Sequence, residues 1–151
     1  MKPKVLLVDD EPDFIRLTQF NLVCQGFEVL CASNGIEAVS EARRGSPDAI
    51  VLDLMLPDMD GFSVCEILRS RDGTAEVPVF ILSALDGLAA RARGQAVGAN
   101  SFFRKPVNLR ELGSLIHETI ARRRKLGQIE VDWKQTLGWA VGMKRSNGLM
   151  E

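Results

Sequence analysis

The chain has 151 residues, of which 46% are hydrophobic and 26% are charged, and these proportions exclude a disordered, collagen-like or coiled-coil protein. No apolar run approaches the roughly 20 residues of a membrane-spanning helix, and the first residues lack the apolar stretch of a signal peptide. We therefore predict a cytoplasmic protein without a membrane segment. The formal net charge of −1 hides a division: residues 1–120 hold 12 basic and 17 acidic residues, and residues 121–151 hold 7 and 3.

Five short apolar segments alternate with segments of helical periodicity. The predicted strands cover residues 4–8, 27–32, 49–52, 77–82 and 101–103. The predicted helices cover residues 11–25, 35–44, 61–71, 86–97 and 108–124, and Asn108 is the expected cap of the last helix. Near-continuous apolar runs are typical of strands that are buried on both faces. The alternation therefore predicts an α/β fold with a parallel sheet covered by helices.

Polar side chains follow four of the predicted strands, at the edge where open parallel sheets place their binding sites. The residues in these positions are Asp9 and Asp10, Asp53, Ser83 and Lys105. Each has an ordinary alternative when taken alone: Asp10 could cap the next helix, Asp53 could be a loop residue, and Lys105 could be a solvated charge. Together, the four strand ends would bring three carboxylates, one hydroxyl and one ammonium group to one edge of the sheet.

This set of groups has a chemical logic. Clustered carboxylates repel each other unless a cation lies among them, and oxygen ligands are those that Mg²⁺ prefers. A carboxylate beside such an ion can act as a nucleophile in phosphoryl transfer, while the metal and a lysine neutralise charge on the transferred oxygens. The sequence thus predicts Mg²⁺ as a cofactor and phosphoryl transfer onto a carboxylate as the reaction class.

Over residues 3–122 the chain resembles the receiver domain of response regulators in two-component signalling, the CheY-like proteins. The motifs that carry the resemblance are Val8-Asp9-Asp10-Glu11, Asp53-Leu54-Met55-Leu56-Pro57, Asp60-Gly61, Ser83-Ala84 and Lys105-Pro106. The resemblance implies a flavodoxin-like, doubly wound sheet of five parallel strands in the order 2-1-3-4-5, with helices on both faces.

The resemblance also implies roles for the acidic positions. Asp53 is the expected phosphoacceptor, and Asp9 and Asp10 are the expected acidic pair that holds Mg²⁺ together with Asp53. Met55 would contribute its backbone carbonyl to the metal, which any side chain at this position permits. Lys105 would contact the phosphoryl group. Asp53, Lys105 and Ser83 are accordingly the residues that we expect to take part in the chemistry.

Further positions match the part of the family that responds to phosphorylation. Ser83 stands where the family has the threonine or serine that follows the phosphoryl group, and Phe102 stands at the switch aromatic, which turns inward when Ser83 moves. The Lys105-Pro106 bond is similar to one that the family holds in the cis form. Asn100 and Ser101 replace an acidic pair that often joins a salt bridge between subunits, so this departure argues against that mode of dimerisation.

The implied function is a phosphorylation-activated switch. A sensor histidine kinase or a phosphotransfer protein would supply the phosphoryl group from a phosphohistidine, and a downstream partner would read the face formed by residues 86–120. The domain would catalyse its own phosphorylation and dephosphorylation without being a metabolic enzyme. Two alternatives stay open: the receiver portion of a longer transcriptional or enzymatic regulator, and a phosphohydrolase with an aspartate nucleophile. Met55 argues against the second, because such enzymes usually have an aspartate there.

We expect a receiver domain over residues 1–125 and an extension over residues 126–151 that is either a linker or a docking segment. The basic run at residues 122–125 is more typical of a solvated helix end than of a nucleic-acid contact, so we do not expect direct DNA binding. Gly127 is predicted to end the helix, and residues 129–133 alternate apolar and polar like a short strand. Whether the chain forms a homodimer is left open.

Overall fold

The computed structural model describes residues 1–85 and 87–146, with side chains described as far as residue 128. The sheet has the strand order β2-β1-β3-β4-β5, and all neighbouring strands are parallel, as predicted. The elements, in chain order, are β1 (Lys4–Val8), α1 (Pro12–Cys24), β2 (Glu28–Ala32), α2 (Gly35–Gly45), β3 (Ala49–Leu52), α3 (Gly61–Arg69), a short 3₁₀ turn (Asp72–Thr74), β4 (Val79–Ser83), α4 (Leu88–Ala96), β5 (Ser101–Arg104) and α5 (Leu109–Ser146).

The three central strands, β1, β3 and β4, form the buried middle of the sheet. Every residue of β3 and β4 is buried, because helices cover both faces of the sheet. The ladder continues one residue past the strands: the Asp9 amide donates to the Ala32 carbonyl at 3.1 Å, and the Asp53 amide donates to the Val8 carbonyl at 3.0 Å. Both aspartates are therefore fixed by the main chain at the carboxyl ends of neighbouring strands.

The buried face of a helix agrees with its hydrophobic spacing in α3 but not in α1 and α2. In α3, Phe62, Val64, Cys65 and Leu68 are buried, as their spacing predicts. In α1 the buried residues are Thr18 and Leu22, whereas Leu17 is 57% exposed. In α2 the buried side chains are small alanines, and Ile36 is 67% exposed. Single exposed apolar residues are common on folded proteins, so hydrophobic spacing was an incomplete guide in these two helices.

The end of the chain differs from the sequence expectation. Helix α5 begins after Asn108, whose side-chain oxygen accepts from the amides of Arg110 and Glu111 at 3.0 and 3.1 Å, which confirms the predicted cap. The helix then continues through Gly127 and through residues 129–133. The predicted helix end and the predicted strand are therefore wrong. A glycine inside a helix costs only about 1 kcal/mol relative to alanine, and the surrounding arginine, lysine, leucine and glutamine residues favour the helix.

The chain divides into two compact units, Met1–His117 and Glu118–Glu151. The first contains the whole sheet, and the second, as far as it is described, is the later part of α5. The predicted boundary after residue 125 stays a prediction.

Among the residues that the structure describes, no helix combines the length and the apolar character that a membrane span requires.

One buried polar group in this fold is open to a direct test. The Thr18 side chain is fully buried, and its hydroxyl has no hydrogen-bond partner among the described residues. A buried hydroxyl without a partner loses its hydration without compensation. We expect Thr18→Val, which keeps the shape of the side chain, to raise the free energy of unfolding by about 1 kcal/mol, as measured by urea denaturation. Thr18→Ser is the control: it keeps the hydroxyl, removes a methyl group and should lower stability. A valine variant less stable than the parent would show that the hydroxyl is satisfied.

Candidate functional site

Three carboxylates meet at the carboxyl edge of the sheet. One side-chain oxygen from each of Asp9, Asp10 and Asp53 lies within 4.8 Å of the others. Asp9 and Asp53 are 1% and 6% exposed, whereas Asp10 is exposed to solvent. The Asp9 carboxylate also accepts from the amide of Glu11 at 2.9 Å, which fixes it at the start of α1. The structure thus brings together the three aspartates that the sequence singled out.

Lys105 supplies the only positive charge that the described residues place in direct contact with these acids. Its Nζ lies 2.6 Å from Oδ2 of Asp9 and 3.6 Å from Oδ2 of Asp53. The Phe14 ring also contacts this ammonium group, with Nζ 4.1 Å from the ring centroid, a cation–π distance. The Lys105 amide donates to the Ser83 carbonyl at 2.8 Å, and the Lys105-Pro106 bond is cis, as predicted.

The pKa values of Asp53 and Lys105 are both raised, but for different reasons. Burial raises the pKa of Asp53, the Lys105 charge opposes this rise, and the Asp9 charge adds to it. Burial alone would lower the pKa of Lys105, but the hydrogen bond to Asp9 and the charges of Asp53 and Asp9 outweigh it, so the pKa of Lys105 is raised. The ionised form of Asp53 is therefore held at a cost, and an added cation would relieve it.

The donor set fits a hard divalent cation. Three carboxylates converge with one ammonium group, so the cluster keeps an excess of negative charge, and all the ligands it offers are oxygens. Asp9 and Asp53 are buried, and their main-chain amides are hydrogen-bonded to the neighbouring strands. The third is exposed, which leaves the site open to solvent on one side.

The loop after Asp53 is tightly built against α3. A Cβ at Gly61 would lie 2.4 Å from the Asp53 carbonyl oxygen and 2.8 Å from the Leu54 Cα, so only glycine lets the helix approach this closely. The Gly61 amide donates to the Leu54 carbonyl at 2.8 Å. Asp60 caps the helix by accepting from the Ser63 amide at 2.9 Å. The main chain that carries Asp53 is fixed by these contacts.

The same loop also caps α2. The Asp58 carboxylate accepts from the amides of Gly35 and Ile36 at 2.7 and 2.8 Å, and these bonds lower the pKa of Asp58. A carboxylate at a helix N-terminus satisfies amides that have no partner inside the helix. A Cβ at Gly35 would also meet the Met59 side chain at 2.3 Å, so the loop packs directly on this turn. Asp58 thereby ties the loop after Asp53 to a second helix.

Ser83 and Phe102 lie on the other side of the site. Ser83 ends β4, is fully buried, and its hydroxyl accepts from the Leu85 amide at 3.2 Å. Phe102 pairs with Ile81 across β4 and β5, and its half-buried ring packs against the core. Met55 is exposed, and its amide lies 3.4 Å from Oδ1 of Asp53.

A family model for the response regulator receiver domain matches residues 5–117, which includes all of the acidic cluster and all five strands except the first residue of β1, Lys4. The chain belongs to the response regulator receiver family. It is a receiver domain of the kind found in two-component signalling.

The receiver domain has curated relatives that are longer than this chain. It is 36% identical over 126 residues to the DNA-binding dual master transcriptional regulator RpaA of Synechocystis, covering 83% of this chain and 52% of that protein. It is 38% identical over 122 residues to the alkaline phosphatase synthesis transcriptional regulatory protein PhoP of Bacillus subtilis, covering 81% and 50%. The chain thus spans about half the length of these relatives.

Solved receiver domains superpose on almost their whole length. The receiver domain of a sensor histidine kinase from Pseudomonas aeruginosa, solved with a magnesium ion in its active-site cleft, has a TM-score of 0.74 and 30% identity, covering 80% of this chain and 99% of that one. The chemotaxis protein CheY4 of Vibrio cholerae has a TM-score of 0.74 and 29% identity, covering 78% and 98%.

Sequence reasoning missed residues that support the receiver site without belonging to its acidic motifs. Asp58 and Phe14 are two of them, because a cap on a distant helix and a ring beneath a lysine have no spacing signal. Asn100 is a third. Its side-chain oxygen accepts from Arg69 at 3.1 Å and from the Val79 amide at 2.9 Å. In the sequence Asn100 stands out only because it replaces an acidic residue of the family, whereas in the structure its side chain anchors the start of β4.

The raised pKa of Asp53 predicts a pH dependence of stability in the absence of divalent metal. Above the ordinary value of 3.8, the folded state still holds the Asp53 proton that the unfolded chain has released. The parent therefore loses stability as the pH rises through the folded pKa. We expect Asp53→Asn to gain stability relative to the parent across this window, as measured by urea unfolding in EDTA at several pH values.

Asp60→Asn is the control of opposite sign. Burial acts to raise the pKa of Asp60, but the hydrogen bonds from Ser63 together with the charge of Arg93 outweigh it, so the pKa of Asp60 is lowered. Its contribution to stability is lost as the pH falls through the folded pKa, so this variant should lose stability relative to the parent as the pH rises. Equal pH profiles for the parent and Asp53→Asn would contradict the prediction.

Proposed function

We propose that Asp53 is the phosphoacceptor of this receiver domain and that Lys105, Asp9 and Asp10 prepare it for the reaction. The observation that carries the proposal is the buried Asp53 carboxylate, held beside two other acids and within 3.6 Å of a lysine ammonium group. A buried carboxylate whose charge is poorly solvated is a stronger nucleophile than a solvated one, and its surroundings are arranged in advance for a charged group.

The donor of the phosphoryl group is a phosphohistidine of a sensor histidine kinase or of a phosphotransfer protein. A carboxylate oxygen of Asp53 forms the new bond to phosphorus as the bond to the histidine nitrogen breaks, and the electron pair of that bond stays on the imidazole. Lys105 lies where its ammonium group can neutralise charge on the transferred oxygens. Water later attacks the phosphorus atom of the acyl phosphate, the bond between phosphorus and the Asp53 oxygen breaks, and inorganic phosphate leaves, which restores the Asp53 carboxylate.

Mg²⁺ is the cation that we propose for the acidic cluster. Asp9, Asp10 and Asp53 would hold it, and the Met55 backbone carbonyl would complete the protein ligands. When bound, the ion neutralises the negative charge that develops on the phosphoryl oxygens. The all-oxygen donor set supports this choice, as does the magnesium ion in the cleft of the similar kinase receiver.

Phosphorylation would be read through Ser83 and Phe102. The phosphoryl group adds a charge of roughly −1.5 to −2 and three acceptor oxygens, which attract the Ser83 hydroxyl. The displacement of Ser83 leaves room for Phe102 to turn inward, and the equilibrium between two surface arrangements shifts. A downstream partner reads the face formed by residues 86–120, of which residue 86 lies outside the described part of the chain.

The output of the switch has two open candidates. One is a receiver that acts alone by binding a partner, and the other is the receiver portion of a longer regulator. The second is supported by relatives named as transcriptional regulators, of which this chain spans about half.

We propose no direct DNA contact by this chain, and whether it forms a homodimer stays open. The cytoplasmic location stays a prediction.

Labelling from acetyl phosphate in the presence of Mg²⁺ tests the phosphoacceptor. We expect Asp53→Asn to lose the hydroxylamine-labile incorporation of phosphate, because the amide cannot form the acyl phosphate. Asp72→Asn is the matched control, since it removes an exposed carboxylate from the 3₁₀ turn outside the acidic cluster. Undiminished labelling of Asp53→Asn would refute the assignment.

A chain that ends after Lys125 tests the role of residues 126–151. If this extension is only a linker, thermal stability, labelling rate and the molar mass from light scattering should match those of the full chain, with and without beryllofluoride. If it is a docking segment, the thermal stability or the molar mass should change. We expect no change in the labelling rate in either case, because every residue proposed for the chemistry precedes residue 106.

A further inference from the structure

The ring of Phe102 contacts α4 at a glycine. Gly94 is the only buried residue of this helix, and a Cβ built there would lie 3.1 Å from Cδ2 of Phe102 and 3.5 Å from Cδ1 of Ile81. The φ angle of Gly94 is not positive, so the backbone conformation of the helix does not require glycine at this position. A glycine inside a helix costs roughly 1 kcal/mol relative to alanine. The space that Gly94 leaves for the Phe102 ring accounts for its presence.

A second contact from the same helix acts on the same residue. The guanidinium carbon of Arg91 lies 5.2 Å from the Phe102 ring centroid, and Nη1 donates to the Phe102 carbonyl at 3.2 Å. Arg91 and Gly94 are three residues apart, so they share one face of α4. The helix therefore holds both the ring and the main chain of Phe102.

In this structure Phe102 contacts α4 while the Ser83 hydroxyl is hydrogen-bonded within its own loop. The Ser83 hydroxyl accepts from the Leu85 amide and is thus engaged by its own loop. A cavity of about 260 Å³, lined by Arg91, Gly94 and Phe102 among others, lies between α4 and β5 beside the ring. The Phe102 ring is therefore not enclosed on this side.

We propose that Arg91 and Gly94 are positioning residues that hold Phe102 against α4 while Ser83 is bonded to its own loop, and so set how readily the domain is activated. This inference rests on the proposed function of Asp53. Phosphorylation must break the contact between Arg91 and the Phe102 ring before the ring can turn inward. The strength of that contact is a cost that activation has to overcome.

Beryllofluoride with Mg²⁺, a stable mimic of the phosphoryl group, is the probe that tests this inference on the full chain. We expect Arg91→Gln to bind beryllofluoride about two- to fivefold more tightly than the parent, the factor that corresponds to the loss of one exposed cation–π contact. Arg93→Gln is the matched control. It removes the same charge from the same helix, but Arg93 lies over the Phe62 ring at 4.4 Å, so its affinity should equal that of the parent.

A double-mutant cycle separates a role through Phe102 from a general effect of charge. In a Phe102→Ala background, Arg91→Gln should leave the beryllofluoride affinity unchanged. Gly94→Ala provides a second readout in the free protein: the added methyl group should displace the Phe102 ring signals in ¹H–¹³C NMR spectra, which are assigned by their loss in Phe102→Leu. An Arg91→Gln effect that is absent, reversed, shared by Arg93→Gln or retained without Phe102 overturns the inference.

The outcomes also distinguish the inference from the proposed function. A parent chain that does not bind beryllofluoride, or an Asp53→Asn variant that binds it as well as the parent does, refutes the phosphoacceptor assignment and the inference with it. A parent that binds through Asp53, together with an Arg91→Gln variant of unchanged affinity, refutes only the role of Arg91 and Gly94.

Discussion

The close approach of Lys105 to two buried carboxylates is the interaction on which the rest of the site depends. Removing charges from water is costly, and a buried ion pair recovers that cost only with good geometry. Here Lys105 lies at 2.6 Å from Asp9 but at 3.6 Å from Asp53, so the lysine compensates the first carboxylate far better than the second. Burial then raises the pKa of Asp53. The site keeps one incompletely compensated negative charge where a cation and a phosphoryl group would be bound.

The two sides of this site are held with unequal strength. On one side, the loop after Asp53 is fixed by the close packing of Gly61 and by Asp58, which caps a second helix. On the other side, Ser83 is held by one hydrogen bond from its own loop, and Phe102 by contacts with α4 that include an exposed arginine. The main chain that carries Asp53 is therefore fixed by several packing and hydrogen-bond contacts, whereas Ser83 and Phe102 are held by fewer contacts.

The features that the sequence could predict are those that depend on local order along the chain. Apolar runs give the strands, and the parallel order brings Asp9, Asp53 and Lys105 to one edge, because the carboxyl ends of parallel strands meet there. The exposed face of Ile36 and the cap from Asp58 depend on packing between distant segments, which no periodicity records. The end of α5 was misjudged for a different reason: Gly127 suggests a break, but a helix tolerates one glycine when its neighbours favour helix.

Asn100 shows how a departure from a family pattern can have a structural role at the opposite edge of the sheet. Arg69 donates to the carbonyls of Gly98 and Val77 and to the Asn100 side chain, which in turn accepts from the Val79 amide. These bonds join the amino ends of β4 and β5. At the carboxyl ends of the same strands lie Ser83 and Lys105, and Phe102 is the second residue of β5. The amino ends of both strands are therefore anchored by several hydrogen bonds to one guanidinium group, at the edge of the sheet opposite to the acidic cluster.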